Sequence, residues 1–75
     1  MTIPIEKLKL IFRTAFNKDI DITPATNRHN CEYWDSLAHL SLIVELEDQL
    51  NVTFTKEEIV QINSVSEILN VLKNK

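Results

Sequence analysis

Seventy-five residues without a single glycine must change direction by other means. Hairpin turns commonly need Gly or Asn at positive φ, so a fold of many short strands is disfavoured and helices joined by polar connections are favoured. The stretch with the clearest helical signal is Ser36–Leu50. Asp35 before it is a good N-cap, since its carboxylate can accept from the free N–H groups of the first turn, and Ser36 then takes the first helical position with its hydroxyl outward. Leu37, Leu40 and Val44 recur at helical spacing, and so does a second row of Ile43, Leu46 and Leu50. Together they predict a broad apolar face on a core helix.

The remaining segments fit an all-α chain. Ile5, Leu8, Ile11, Phe12, Ala15 and Phe16 predict a first helix over Pro4–Asn17, with Glu6, Lys7, Lys9 and Arg13 on a solvated face and Pro4 in the first turn, where its missing N–H breaks no bond. Asn17–Trp34 reads as a long connection anchored by Ile20 and Ile22, with turns or one turn of helix around Thr23–Asn27. Tyr33 and Trp34 are expected to close the end of the core, beside the helix start at Ser36. Asn51–Phe54 is an extended link with Val52 and Phe54 inward. Thr55-Lys56-Glu57-Glu58 has the capping-box form and opens a short helix to about Ile62, with Ile59, Val60 and Ile62 expected inside. Ser64-Val65-Ser66-Glu67 repeats that form and opens a last helix burying Val65, Ile68, Leu69, Val71 and Leu72.

The length allows one domain over residues 1–75, with an economical core. Apolar residues at 44% and charged ones at 25% exclude a disordered chain. Cys31 is the only cysteine, so no internal disulfide is possible. The N-terminus lacks a basic segment followed by an apolar run, and no stretch approaches membrane-spanning length, so a cytoplasmic location is expected. The net charge of −3 is unevenly spread: Asp35, Glu45, Glu47 and Asp48 meet no Lys or Arg between Asp35 and Leu50. An acidic helix repels phosphate backbones and attracts basic protein patches, which argues against nucleic acid as a partner. Nothing in this charge calls for more than a monomer.

Asp35-Ser36-Leu37 at the head of a second long helix, an acidic run at its tail, and the order long helix, long loop, long helix, short helix, helix together resemble the acyl carrier protein family over nearly the whole chain. The resemblance implies a small four-helix bundle with 4′-phosphopantetheine on Ser36, and with Asp35 and Leu37 as motif neighbours. It implies partner recognition through Ala38, Ser41, Val44, Glu45, Glu47 and Asp48. The partners it implies are a phosphopantetheinyl transferase and acyl-loading or acyl-transferring enzymes with basic docking patches. The sequence departs from the family where Glu32, Tyr33 and Trp34 stand in place of Leu-Gly and a small residue. It departs again at Ala38 and Ser41, often acidic in fatty-acid-synthesis carriers, which points to a specialised carrier.

A carrier needs an exposed primary hydroxyl on a rigid element, and the phosphodiester formed there gains from the partial positive charge of a helix N-terminus. Such a protein performs no bond-making itself; its arm bears acyl or aminoacyl groups as thioesters. The alternative is an unmodified helical-bundle interaction module. Ser36, His39 and Asp35 contain the ingredients of a nucleophile, base and orienting acid, but a triad also needs an oxyanion site and a base oriented from another element, which disfavours hydrolysis. His29, Cys31 and Glu32 lie close together in one loop without a second ligand pair, which is weak for zinc.

Overall fold

The computed structural model describes residues 1–75 as four helices: α1 (Ile5–Phe16), α2 (Ser36–Leu50), α3 (Lys56–Gln61) and α4 (Val65–Lys73). The expected all-α bundle, with a long connection before α2 and a short third helix, is the fold observed. α1 and α2 form the principal packed pair. Their inner faces supply Leu8, Ile11, Phe12 and Phe16 from α1 and Leu42, Ile43, Leu46 and Leu50 from α2, and α4 closes the core with Val65, Ile68, Val71 and Leu72. Ile22 and Trp34 from the connection, and Phe54 and Ile62 from the links around α3, complete it.

Asparagine does the work of the missing glycine. Both long helices end on one in the left-handed region, Asn17 at φ 52° and Asn51 at φ 54°, each donating its N–H back to the last turn, to Arg13 O and Glu47 O. The 17–34 connection is likewise shaped by short polar side chains. Asn27 Oδ1 accepts from the N–H groups of His29 and Asn30 at 2.8 and 3.1 Å, and Asn30 Oδ1 accepts from Asn27 N–H at 2.8 Å. Before them, Thr26 N–H donates to Thr23 O at 3.0 Å and Thr23 N–H to Thr26 Oγ1 at 2.9 Å, a tight turn in place of the helical turn that Thr23–Asn27 could have formed. The connection is stapled to the start of α4 by an antiparallel bridge between Asn27 and Ser64, in which Arg28 N–H donates to Asn63 O and Val65 N–H to Thr26 O. At its α1 end, Lys9 pairs with Asp21 at 3.0 Å and Arg13 with Asp19 at 3.3 Å, so part of the basic face of α1 braces the loop.

Four expectations are corrected. The row Leu37, Leu40 and Val44 does not enter the core: these residues are 76%, 58% and 62% exposed, and the buried face of α2 is the neighbouring row of His39, Leu42, Ile43, Leu46 and Leu50. Val60 points to solvent, because α3 has too few turns to bury more than one edge; Ile62 is buried just beyond it and Ile59 half-buried. Thr55 and Glu58 form a complete capping box, whereas Ser64 Oγ accepts from Glu67 N–H with no return bond from the Glu67 side chain. Of the expected aromatic pair, Trp34 is in the core and Tyr33 is exposed.

Two stability measurements follow from these contacts. With Asn51 in the left-handed region, Asn51→Gly should stay within about 0.5 kcal/mol of wild type in urea denaturation, whereas the β-branched Asn51→Val should lose about 1–2 kcal/mol. Glu58 is held below its ordinary value of 4.5 by the Thr55 N–H and then by Lys75, so its folded carboxylate resists protonation. Its contribution is fully present above the ordinary value and is lost as the pH falls through the lowered one. The urea midpoint should therefore drop on moving from neutral pH to below pH 4, and drop less in Glu58→Gln, in which that carboxylate no longer titrates.

Candidate functional site

The start of α2 is fixed from both sides. Asp35, at φ −93°, accepts from Ala38 N–H at 2.8 Å through Oδ1 and so caps the helix as expected. One residue before it, Trp34 is 3% exposed, and His39 on the first turn is 6% exposed. The Trp34 ring packs edge-on against Phe12 of α1 at 5.2 Å between centroids and stacks on His39 at 6.2 Å. Between these two anchors, Asp35, Ser36 and Leu37 all face solvent. Ser36 is presented because its neighbours on either side are held in the core.

The anchors are joined by a chain of hydrogen bonds. Trp34 Nε1–H can only donate, and it points at His39 Nδ1 at 3.1 Å; Ile59 O of α3 can only accept, and it lies 2.9 Å from His39 Nε2. Together the two contacts fix a neutral imidazole with its proton on Nε2. Both nitrogens are thereby occupied by Trp34 and Ile59 rather than by Ser36 or Asp35, so the Ser36–His39–Asp35 set does not assemble as a nucleophile and base. No group of three or more His, Cys, Asp or Glu residues is arranged to hold a metal ion, and His29, Cys31 and Glu32 are no exception.

The other residues singled out from the sequence are spread along α2. Ala38 and Ser41 are half-buried, Val44 and Asp48 exposed. Glu45 accepts a hydrogen bond from Gln49 at 3.3 Å. Glu47 is turned inward: its Oε2 accepts from Phe54 N–H at 2.8 Å and so secures the extended link that follows α2. Sequence reasoning missed the structural part played by His39. The available signal was its place at helical spacing with Leu42, Ile43, Leu46 and Leu50, the row that is buried.

The family described as phosphopantetheine attachment site matches residues 6–72, a span that runs from α1 to the last turns of α4. The chain belongs to that family. Its fold is also similar to the solution structure of the holo acyl carrier protein from Geobacter metallireducens, with a TM-score of 0.82 and 30% sequence identity over 95% of this chain and 83% of that one. A search of curated protein sequences returns no significant match. Membership of the phosphopantetheine family supplies what the geometry lacks by itself, a covalently attached 4′-phosphopantetheine, and it makes the chain a carrier that works through partner enzymes. No helix is long and apolar enough to cross a membrane.

If the Trp34–His39–Ile59 chain holds the head of α2, His39→Leu should leave a buried N–H and a buried C=O unpaired, each costing roughly 1–3 kcal/mol. His39→Gln, whose amide has one acceptor and one donor, should recover part of that loss. Urea denaturation followed by Trp34 fluorescence measures both; equal stability of the three proteins would show the contacts to be idle.

Proposed function

We propose that Ser36 is the attachment residue of the phosphopantetheine arm and that the chain, as one carrier domain over residues 1–75, presents acyl or aminoacyl thioesters to partner enzymes in the cytoplasm. The observation that carries this reading is the isolation of Ser36 at the head of α2, exposed between buried Trp34 and buried His39. The other serines lack this setting. Ser64 Oγ caps Glu67 N–H, Ser66 Oγ lies 3.1 Å from Ser64 Oγ, and Ser41 sits half-buried within α2.

The residues around Ser36 suit the group. Asp35 caps through Ala38 N–H, which leaves other first-turn N–H groups and the helix dipole to favour a phosphodiester anion on Ser36. When bound, the arm supplies a terminal thiol that holds its cargo as a thioester. In the loading reaction a transferase binds coenzyme A, the Ser36 oxygen forms the new bond to phosphorus, the bond to the nucleotide half breaks, and the hydroxyl proton passes to a base of the transferase. The protein's own part is to hold that oxygen outward on a rigid helix end.

Partners would approach along the outer face of α2. Asp48 and Glu45 offer negative charge to basic docking patches, and exposed Leu37 and Val44 offer apolar contact. Glu47 contributes less than its charge suggests, because its carboxylate is engaged by Phe54 N–H. Ala38 and Ser41 bring no charge to the first two turns, so docking there relies on shape and apolar contact, as in a carrier specialised for its own partners. A monomer with no affinity for nucleic acid fits the acidic helix.

The test is intact mass after incubation with coenzyme A, magnesium and a broad-specificity phosphopantetheinyl transferase. The wild type should gain one phosphopantetheine, and Ser36→Ala, shown folded by circular dichroism, should gain none. A gain that survives in Ser36→Ala would move the attachment elsewhere. A folded wild type that takes no arm from several transferases would favour an unmodified interaction module.

A further inference from the structure

His39 is the only titratable side chain buried in the core, and presenting Ser36 makes no use of its acid–base chemistry. Its surroundings admit one protonation state. Nδ1 must stay bare to accept from Trp34 Nε1–H at 3.1 Å, and Nε2 must keep its proton to meet Ile59 O at 2.9 Å. A proton taken from solvent onto Nδ1 sets two N–H donors against each other and leaves a positive charge on a residue only 6% exposed. Trp34 has little freedom to turn away, because its ring is packed edge-on against Phe12 at 5.2 Å and tilted against Phe16 at 6.2 Å. The imidazolium is therefore the partner that has to move.

No carboxylate is placed to hold that charge inside, since no ion pair includes His39. On α2, Asp35 is exposed with Oδ1 on Ala38 N–H, and in the connection Glu32 is exposed. On α3, Lys56 and Glu57 are exposed, while Glu58 is bound to Thr55 N–H and Lys75. α1 meets the ring through Trp34, and its Lys9 and Arg13 are paired with Asp21 and Asp19. Glu67 and Lys73, the charged residues of α4, enter no ion pair.

α3 depends most on the bond that would be lost. None of its six residues is fully buried, whereas α1, α2 and α4 each put at least four side chains into the core. We propose that the Trp34–His39–Ile59 chain is an acid-sensitive catch. Protonation of Nδ1 expels the Trp34 N–H, the ring swings toward water and takes its Nε2–H from Ile59 O, and α3 comes free of the first turn of α2 while the core of α1, α2 and α4 stays packed. Any partner that seats on the head of α2 and on α3 together then meets one arrangement at neutral pH and another in acid. The catch stands on the α2–α3 geometry and needs no arm on Ser36, so failure of either reading leaves the other in place.

The experiment follows the full ¹⁵N-labelled chain by NMR from about pH 8 to 5, the range in which an imidazole ordinarily titrates. The chain has two histidines, so the spectra are taken on His29→Gln, a change at an exposed position that leaves His39 the single imidazole. The Trp34 indole N–H and the amides of Ile59 and Val60 should move with one midpoint, the one shown by the His39 ring nitrogens. Below it, exchange protection of the Ile59 and Ile62 N–H groups, which bond Thr55 O and Glu58 O, should fall about tenfold, the net contribution of one hydrogen bond, while Ile11 and Val71 keep theirs. His39→Gln in the same background should show no such midpoint; if it does not fold, the ring nitrogens of the parent supply the comparison by themselves. A ring that stays neutral throughout, or that titrates while Trp34 and α3 keep their signals, overturns the catch. Movement of the indole with α3 unmoved confines the change to the connection and overturns the release. Loss of protection in α1 and α4 together with α3 is acid unfolding of the whole chain, and the same transition in His39→Gln belongs to carboxylates; either result sinks the proposal.

Discussion

The indole N–H of Trp34 is a buried donor that must find an acceptor, and much of the fold is arranged around the one it has. His39 Nδ1 serves, and in doing so His39 can offer only its Nε2–H to the backbone of α3. One chain of two hydrogen bonds thus ties the end of the long connection to the first turn of α2 and that turn to the short third helix. A six-residue helix such as α3 is too short to be stable by itself, so a directional bond to its Ile59 carbonyl is a substantial part of what positions it. Trp34 also packs against Phe12 and Phe16, which carries the same anchor into α1. The exposed Asp35-Ser36-Leu37 segment is a by-product of this arrangement: when residues 34 and 39 are both drawn inward, the helix start between them has nowhere to point but outward.

Presentation by rigid flanks explains how the chain can do without glycine at the turn before α2. A glycine there would let the backbone reach an unusual conformation; Glu32, Tyr33 and Trp34 instead rely on side-chain burial to stop the chain in place. At the helix ends, where positive φ is unavoidable, Asn17 and Asn51 accept the left-handed conformation. In the connection, Asn27 and Asn30 use their carboxamide oxygens to satisfy backbone N–H groups that a glycine turn would leave to water. The lack of glycine therefore shifts turn-making from backbone freedom to side-chain hydrogen bonding, with stiffer turns as the result.

The sequence made the helices legible because their caps are local. Asp35, Thr55 and Ser64 cap as their positions predict, and the apolar spacing of α1 and α4 points to the faces that are buried. α2 was legible as a helix but not in its rotation. Apolar residues cover most of its circumference, so 3.6-residue periodicity is satisfied both by Leu37, Leu40 and Val44 and by the row that in fact packs. What selects the second row is a histidine, which local pattern assigns to solvent. Burial of His39 becomes favourable only because Trp34 and Ile59, five and twenty residues away, satisfy both nitrogens. Information of that kind is long-range and is absent from any window of the sequence. The staple between Asn27 and Ser64 is illegible for the same reason, since nothing near either residue names the other.

The rotation of α2 decides what the carrier can show its partners. Because the histidine row faces inward, three large aliphatic side chains remain in water on the same helix as Ser36, a costly arrangement for a small chain unless something covers them for part of the time. Neutral Ala38 and Ser41 sit among them, so neither end of a charge pair is stranded when that face is covered. Under the docking proposed above, a partner with an apolar face covers them on arrival and returns them to water on leaving. The contacts that hold α2 in this rotation, Trp34 to His39 and His39 to the Ile59 carbonyl, are made by its buried row, so a partner seated on the exposed row need not disturb them.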